Sequence, residues 1–95
     1  MLFEWDSRKN RENRRKHGIG FELACEVFDD PLILSRFDRI EAGEERWHSL
    51  GSIRSHVVIL VVHTVQVVGA EEVIQIISAR KATRLERSIY EDTKS

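Results

Sequence analysis

The sequence predicts an α+β fold, with two N-terminal helices, an antiparallel sheet of about four to five strands and a C-terminal helix. Apolar residues follow helical spacing only before Pro31, whereas β-branched residues dominate the segments between Leu32 and Arg80. The connections after Asp38 are short, and short connections favour antiparallel pairing of successive strands. At 95 residues, the chain is expected to form one domain, residues 1–95.

The N-terminal elements are predicted from capping residues and apolar spacing. Leu2–Trp5 alternates weakly, which predicts a short edge strand. Asp6 is a suitable N-cap for a helix over Ser7–His17, and Gly18 is a suitable residue to end it. Because that helix contains no apolar residue, we expect it to pack through the aliphatic stems of its long side chains. A second helix is predicted over Phe21–Phe28, where an apolar stripe precedes an Asp-Asp-Pro stop.

The remainder of the chain is predicted as strands joined by turns and closed by a helix. The predicted strands are Leu32–Phe37, Glu44–Leu50, His56–Val67 and Glu72–Arg80, the turns are Asp38–Gly43, Gly51–Ser55 and Val68–Glu71, and the helix is Ala82–Asp92. The third strand is almost entirely β-branched, which indicates a central position in the sheet. His63 lies in phase with its apolar residues, and this favours a buried, hydrogen-bonded histidine over a catalytic one.

The charges are segregated along the chain, although the net charge is only −1. Of the 15 Lys and Arg residues, six lie in Arg8–Lys16 and four in Arg80–Arg87, and each segment contains one acid. Such stripes favour a polyanion or a partner of opposite charge. Two solvated helix faces explain the same pattern, and charge alone does not choose between these interpretations.

The composition disfavours several classes of function. Cys25 is the only cysteine, so no internal disulfide can form, and no His/Cys cluster has the spacing of a zinc site. The N-terminus lacks the basic flank and apolar stretch of a signal peptide, and the apolar run at 57–62 is too short to span a bilayer. The sequence therefore predicts a cytoplasmic protein with no metal, no cofactor and no membrane partner. A DNA-binding repressor ranks last, because no helix-turn-helix spacing is evident.

Motifs in both halves of the chain match those of one protein family in order and spacing. The N-terminal half carries Phe3-Glu4-Trp5-Asp6, Asn13-x-x-Lys16-His17-Gly18-x-x-Phe21-Glu22-x-Ala24 and Val27-Phe28-x-Asp30-Pro31. The C-terminal half carries Glu45-Arg46, Gly51 and Ile76-Ile77-Ser78-Ala79-Arg80-x-Ala82-Thr83-x-x-Glu86-Arg87-x-x-Tyr90. From Phe3 to Tyr90, the chain resembles the BrnT-type toxins.

This resemblance implies a RelE-like fold and an endoribonuclease toxin of a type II toxin–antitoxin module. It also implies neutralisation by a ribbon-helix-helix antitoxin (BrnA-like), with DNA contacted only indirectly through the antitoxin complex. The chain departs from the family pattern in three places. Family members usually have an aliphatic residue where this chain has Arg14, and a basic residue where it has Gln75. They usually have a short polar turn where this chain has Val65–Val68. The missing cation at Gln75 keeps an alternative open, a weakened or inactive homologue that serves as an antitoxin-binding or regulatory module.

RNA cleavage without a metal needs a base for the 2′-hydroxyl, cations for the charge that builds on phosphorus, and an acid for the leaving oxygen. Arg80 is the first candidate cation, because it lies at a strand end and its guanidinium meets two phosphate oxygens. An ion pair with Glu45 or another carboxylate is its structural alternative. Arg46 and His48 share one strand face, about 7 Å apart. Histidine is the commonest general base or acid, so His48 is a candidate for either role, although a surface histidine explains it equally well.

Three further residues, Lys81, Arg84 and Tyr90, are candidates for RNA binding. Lys81 and Arg84 are expected at the start of the last helix, where phosphate contact and simple solvation both remain open. Tyr90 is predicted either to contact RNA, by stacking on a base or bonding a phosphate, or to pack the helix on the sheet. Packing is the favoured role for its neighbours Leu85 and Ile89.

Overall fold

The structure, a computed structural model, describes residues 1–54 and 56–92. The strands are β1 (Leu2–Glu4), β2 (Leu34–Glu41), β3 (Glu44–Ile53), β4 (Val57–Val68) and β5 (Glu71–Lys81). The helices are α1 (Ser7–His17), α2 (Phe21–Ala24) and α3 (Arg84–Asp92), and a 3-10 helix spans Cys25–Asp29. Within the described residues, no helix is both long and apolar enough to cross a membrane.

All five strands form one sheet in the order β1-β5-β4-β3-β2. The α+β class is confirmed, but the prediction of an antiparallel sheet was wrong in one respect, because β1 pairs in parallel with β5 and the sheet is mixed. Short hairpins force antiparallel pairing from β2 to β5. β1 reaches its partner from the far end of the chain, so no local connection fixes its direction.

Two predicted turns were wrong because the strands continue through them. β2 and β3 are joined by a two-residue turn, Ala42–Gly43, and the positive φ of both residues (51° and 78°) is the geometry of the tightest hairpins. β3 also extends through Gly51, where a Cβ atom would lie 2.7 Å from the Val27 side chain. The 3-10 helix therefore packs directly on the β3 backbone. Of the turn predicted at 51–55, residue 55 lies outside the described residues.

The first helix agrees with its prediction at both ends. The Asp6 carboxylate accepts hydrogen bonds from the Arg8 and Lys9 backbone N–H groups, and Gly18 ends the helix in the left-handed conformation (φ 73°). Its anchor is Asn13, the helix residue that the structure buries, rather than the aliphatic stems that we expected. The helix therefore docks through an amide, and its cations stay on the surface.

The sheet packs on both faces. One face carries the larger core, under α2 and the 3-10 helix, and includes Phe21, Val27 and Ile59. The predicted second helix is thus split into an α-helical and a 3-10 part. The other face carries a smaller cluster under α3, formed by Leu50, Val58, Leu60, Ala82 and Tyr90. The rest of that second face is free of covering helices and contains the polar residues described next.

Candidate active site

A cleft of about 260 Å³ lies between α3 and the second face of the sheet. Its lining residues are Leu34, Ser35, Arg36, His48, Leu50, Leu60, Glu86 and Ile89. Leucines from three adjacent strands form the apolar part. Two cationic or titratable side chains, Arg36 and His48, and one carboxylate, Glu86, supply the polar part.

Strand register aligns the candidate residues in rows across this face. The rows, read from β2 to β5, are Leu34–Leu50–Leu60–Arg80, then Arg36–His48–Val62–Ser78, then Arg39–Arg46–Thr64–Gln75. Successive rows are two residues apart along a strand, about 7 Å. The register thus brings Arg80, His48 and Arg46 to one face, as the sequence predicted for the last two.

Arg80 is held by a carboxylate. Its Nη1 and Nη2 atoms donate to the two oxygens of Glu86 at 2.7 and 3.0 Å, and Nη1 also donates to the Lys81 carbonyl. This bidentate bond lowers the pKa of Glu86 to about 2 and raises that of Arg80. The structural alternative foreseen for Arg80 is therefore present, with Glu86 as partner. Within residues 1–54 and 56–92, its Nε–H and one Nη2–H have no partner and remain available for a phosphate oxygen.

Glu86 has a second task at the start of α3. Its carboxylate accepts from the Thr83 backbone N–H, while the Thr83 hydroxyl accepts from the Glu86 backbone N–H. This reciprocal pair is a capping box. The Glu86 carboxylate thus fixes both the start of the helix and the Arg80 side chain. Because Thr83 is the N-cap, α3 begins at Arg84 rather than at Ala82 as predicted.

Arg46 and His48 each face a carboxylate from β2. Arg46 Nη2 lies 2.7 Å from Glu41, and the buried Arg46 Nε has no hydrogen-bond partner within the described part of the chain. His48 Nε2 lies 3.6 Å from Asp38, an ion-pair distance when the ring is protonated. Asp38 is the extra residue of a bulge between Phe37 and Arg39, and the bulge turns it toward the histidine.

Arg36 is a site residue that the sequence reasoning missed. It lies directly opposite His48 in the register, it is exposed, and it lines the cleft. Among residues 1–54 and 56–92, no carboxylate pairs with it, in contrast to Arg80 and Arg46. Alternation along β2 was an available signal, since Arg36 follows Leu34 by two residues and must share its face.

The three predicted RNA-binding residues do not share one environment. Lys81 and Arg84 are exposed, but neither lines the cleft, and alternation turns Lys81 to the sheet face opposite Arg80. Two roles were left open for Tyr90, and the structure shows the packing role, because its side chain is only 1% exposed and belongs to the core cluster under α3. Its hydroxyl donates to Asp30, and burial together with this bond raises the pKa of Tyr90 to about 12.

The packing role of α3 also differs from the prediction. Leu85 is 70% exposed and Ile89 is 44% exposed, so neither carries the helix onto the sheet. Glu86 and Tyr90, one helical turn apart, form the inward face instead. Leu85 precedes Glu86 by one residue and therefore points well away from that face.

His63 is buried on the other face of the sheet, as predicted. Its Nε2 lies 2.7 Å from the Ser49 hydroxyl, which in turn lies 2.8 Å from the Ser35 hydroxyl, and its Nδ1 contacts the Thr64 carbonyl. A carbonyl only accepts, so Nδ1 carries the proton and Ser49 donates to Nε2. Burial lowers the pKa of His63. The lowered pKa favours the neutral ring, and the sheet separates the ring from the cleft.

Two other observations limit the chemistry that the site can perform and where it can lie. Within the described residues, no three His, Cys, Asp or Glu side chains converge as a metal site would require. A second depression, of about 630 Å³, is shallow and is lined by Phe3, Glu4, Trp5, Asp6 and Gln75. Its two acids make it a poor match for an anion, so we place the candidate site in the smaller cleft under α3.

Fold and cleft together define a small α+β domain with a cationic, histidine-containing cleft on one face of a five-stranded sheet. The chain belongs to the BrnT family, the ribonuclease toxins of type II toxin–antitoxin systems, whose profile matches residues 5–86. The family predicted from the motifs is therefore confirmed, and membership implies an RNA substrate and an antitoxin partner.

A solved relative supports the same assignment. The chain is similar to the ribonuclease toxin BrnT of Brucella abortus, with 27% sequence identity and a TM-score of 0.61. The alignment covers 88% of this chain and 100% of that one. No curated protein matches the chain.

Proposed function

We propose that this toxin is a metal-independent endoribonuclease that cleaves RNA in the cleft under α3. The 2′-oxygen of the substrate attacks the adjacent phosphorus, the 5′-oxygen leaves, and the products are a 2′,3′-cyclic phosphate and a 5′-hydroxyl. We further propose a RelE-like ancestry for the fold, action in the cytoplasm, and neutralisation by a ribbon-helix-helix antitoxin of the BrnA type that alone contacts DNA. Membership of the ribonuclease toxin family supports the reaction class.

One observation is the main reason for placing RNA cleavage in this cleft. Arg36 and His48 lie directly opposite each other and line the same cavity, so one phosphodiester group can contact both. His48 serves in one of the two proton transfers, either from the 2′-hydroxyl or to the 5′-oxygen. Arg36 places an uncommitted guanidinium on the phosphate, where charge builds in the transition state.

The other two arginines have supporting roles in this proposal. Arg80 offers its two remaining N–H donors at the edge of the cleft, with its position fixed by Glu86. Arg46, one row beyond His48, contributes charge and is tied to Glu41. Lys81 and Arg84 remain proposed phosphate contacts for RNA that extends beyond the cleft.

The proposal is tested by replacing Arg36 and His48 separately with alanine. Each variant should lose cleavage of single-stranded RNA by on the order of 10²-fold or more, because each removes a group that acts in the transition state. Matched controls are His56→Ala and Arg11→Ala, both exposed residues that do not line the cleft. Wild-type rates in Arg36→Ala and His48→Ala, with controls equally active, would move the active site elsewhere.

The ion pairs of Arg80 and Arg46 favour a second candidate function. Arg80 and Arg46 are both already bound to carboxylates, and Gln75 stands in the row of Arg46 where the family usually has a cation. An inactive module that only binds its antitoxin would fit this arrangement. Expression of the chain alone decides between them, since an active toxin should arrest growth and be relieved by the antitoxin, whereas an inactive one should accumulate folded without arrest.

A further inference from the structure

The basic surface of α1 lies against β5, and none of its residues lines the candidate cleft. The helix Ser7–His17 contains six Lys and Arg residues and one acid, and all six cations are exposed. The single ion pair that the structure gives within this helix joins Arg8 to Glu12 at 3.3 Å. The helix therefore keeps a strongly positive surface after folding.

One side of this helix forms a groove with β5. The groove has a volume of about 260 Å³ and is lined by Lys9, Glu12, Asn13, Lys16, His17, Ile77 and Ser78. It exists because the Asn13 amide docks α1 on the edge of β5, with hydrogen bonds to both the N–H and the C=O of Ala79. Two lysines thus line a channel that the fold fixes in place, although Glu12 adds one negative charge to it.

One register row of the sheet connects the groove to the candidate active site. Ser78 lines the groove and belongs to the same register row as Arg36 and His48. Two strand spacings, about 10 Å, separate it from His48. Arg80 follows Ser78 by two residues and points to the same face. A single strand that leaves the cleft across β4 and β5 therefore meets the groove within a few nucleotides.

We infer that the groove between α1 and β5 binds the sugar-phosphate backbone of single-stranded RNA outside the cleavage site, through Lys9 and Lys16. The inference rests on the proposed function for the identity of the ligand. A flexible ammonium group suits this task, because a lysine contacts phosphates as a point charge without demanding one orientation. Such contacts raise affinity for any sequence and leave base selection to the cleft.

Helix geometry supplies a matched control for this inference. At 100° per residue, Lys9 and Lys16 lie within about 60° of Asn13 around the helix, whereas Arg11 and Arg15 lie about 160° away, toward solvent. The variant Lys9→Gln/Lys16→Gln removes two charges from the groove. The variant Arg11→Gln/Arg15→Gln removes the same charge from the outer side of the same helix.

The test measures binding of a 5′-fluorescein-labelled 2′-O-methyl oligonucleotide of about 20 nucleotides, longer than typical single-strand binding sites. This probe lacks a free 2′-hydroxyl, so binding is measured without cleavage. The groove variant should bind roughly tenfold more weakly at about 0.1 M salt, and the slope of log affinity against log salt should fall by about 1.4, or 0.7 for each lost phosphate contact. The outer-side variant should lose less than half as much.

Three outcomes would overturn the inference. Equal losses in the two variants would mean that only net charge matters, and no loss in the groove variant would mean that RNA passes elsewhere. Loss of antitoxin affinity with unchanged RNA affinity would assign the groove to a protein partner. Failure of the proposed function is seen separately, as absent cleavage of unmodified RNA by the wild-type chain.

Discussion

The guanidinium of Arg80 and the carboxylate of Glu86 form a bidentate ion pair that joins the end of β5 to the first turn of α3. Since Glu86 also caps the helix through Thr83, the pair sets the position of the helix over the candidate cleft. The side chains are 38% and 24% exposed, so water weakens the pair without removing it.

Arg80→Ala is expected to reduce RNA cleavage and to lower the free energy of unfolding by about 1 kcal/mol, because it leaves the half-buried Glu86 without its cation. Glu86→Ala is the matched variant, since it breaks the same pair but frees Arg80. We expect a larger loss of stability in urea titrations, because the bond that caps α3 is lost as well, but retained affinity for RNA. Equal loss of cleavage in both variants would show that the pair acts only through structure.

The stability of the fold should depend on acid through Glu86. Its pKa in the folded state is lowered to about 2 from the ordinary 4.5, so it stabilises the fold above about pH 4.5 and loses that contribution as the pH falls toward 2. Glu86→Gln removes the dependence. The difference in Tm between wild type and variant should be largest near pH 6 and shrink between pH 4.5 and 3. A difference that is constant over this range would contradict the role of the charge.

Tyr90→Phe is expected to destabilise the fold by about 1.5–3 kcal/mol, the typical contribution of a hydrogen bond to a charged group. The lost hydroxyl binds Asp30, which also accepts the Leu32 and Ser52 backbone N–H groups, so this bond ties α3 to the segment before β2. RNA affinity should not change, because the ring is buried. Weaker RNA binding at unchanged stability would restore the direct contact that the sequence suggested.

His63 should remain neutral at pH values where an exposed histidine is protonated. Burial lowers its pKa below 6.5, so the unfolded chain takes up a proton first and stability falls as the pH drops below about 6.5. Histidine NMR titrations should show one ring that titrates below 6.5 and that shifts when Ser49 is replaced by alanine. A His63 ring that titrates at or above 6.5 would contradict the lowering of its pKa by burial.

Cleavage should persist in excess EDTA, because the proposed charge stabilisation comes from Arg36 and Arg80 rather than from a metal. A substrate with one 2′-deoxy nucleotide at the scissile position should resist cleavage, since it lacks the attacking oxygen. The normal 5′ fragment should end in a cyclic or 3′-phosphate. Loss of activity on chelation, with recovery when Mg²⁺ is restored, would refute the metal-independent mechanism.

The sequence by itself predicted the family, the α+β class and the elements whose signals are local. α1 begins after Asp6 and ends before Gly18 as predicted, because an N-cap carboxylate and a residue that tolerates positive φ act on neighbouring backbone groups. The strand β4 was predicted from its run of β-branched residues. The burial of His63 was predicted because alternate residues of a strand share one face, and His63 is in phase with the apolar residues of β4. Arg46 and His48 were assigned to one face for the same reason.

Only the tertiary structure decided which of the candidate groups meet. The parallel partner of β1, the docking of Asn13 on Ala79 and the bond from Tyr90 to Asp30 join residues 60 or more positions apart in the chain. No local pattern encodes such contacts, because they depend on how the strands order themselves in the sheet. The register that sets Arg36 opposite His48, and the ion pair that joins Arg80 on β5 to Glu86 on α3, likewise arise only when separate elements pack. Local backbone preferences determined the secondary-structure elements of this toxin, and the burial of the two faces of its sheet determined which residues line the candidate active site.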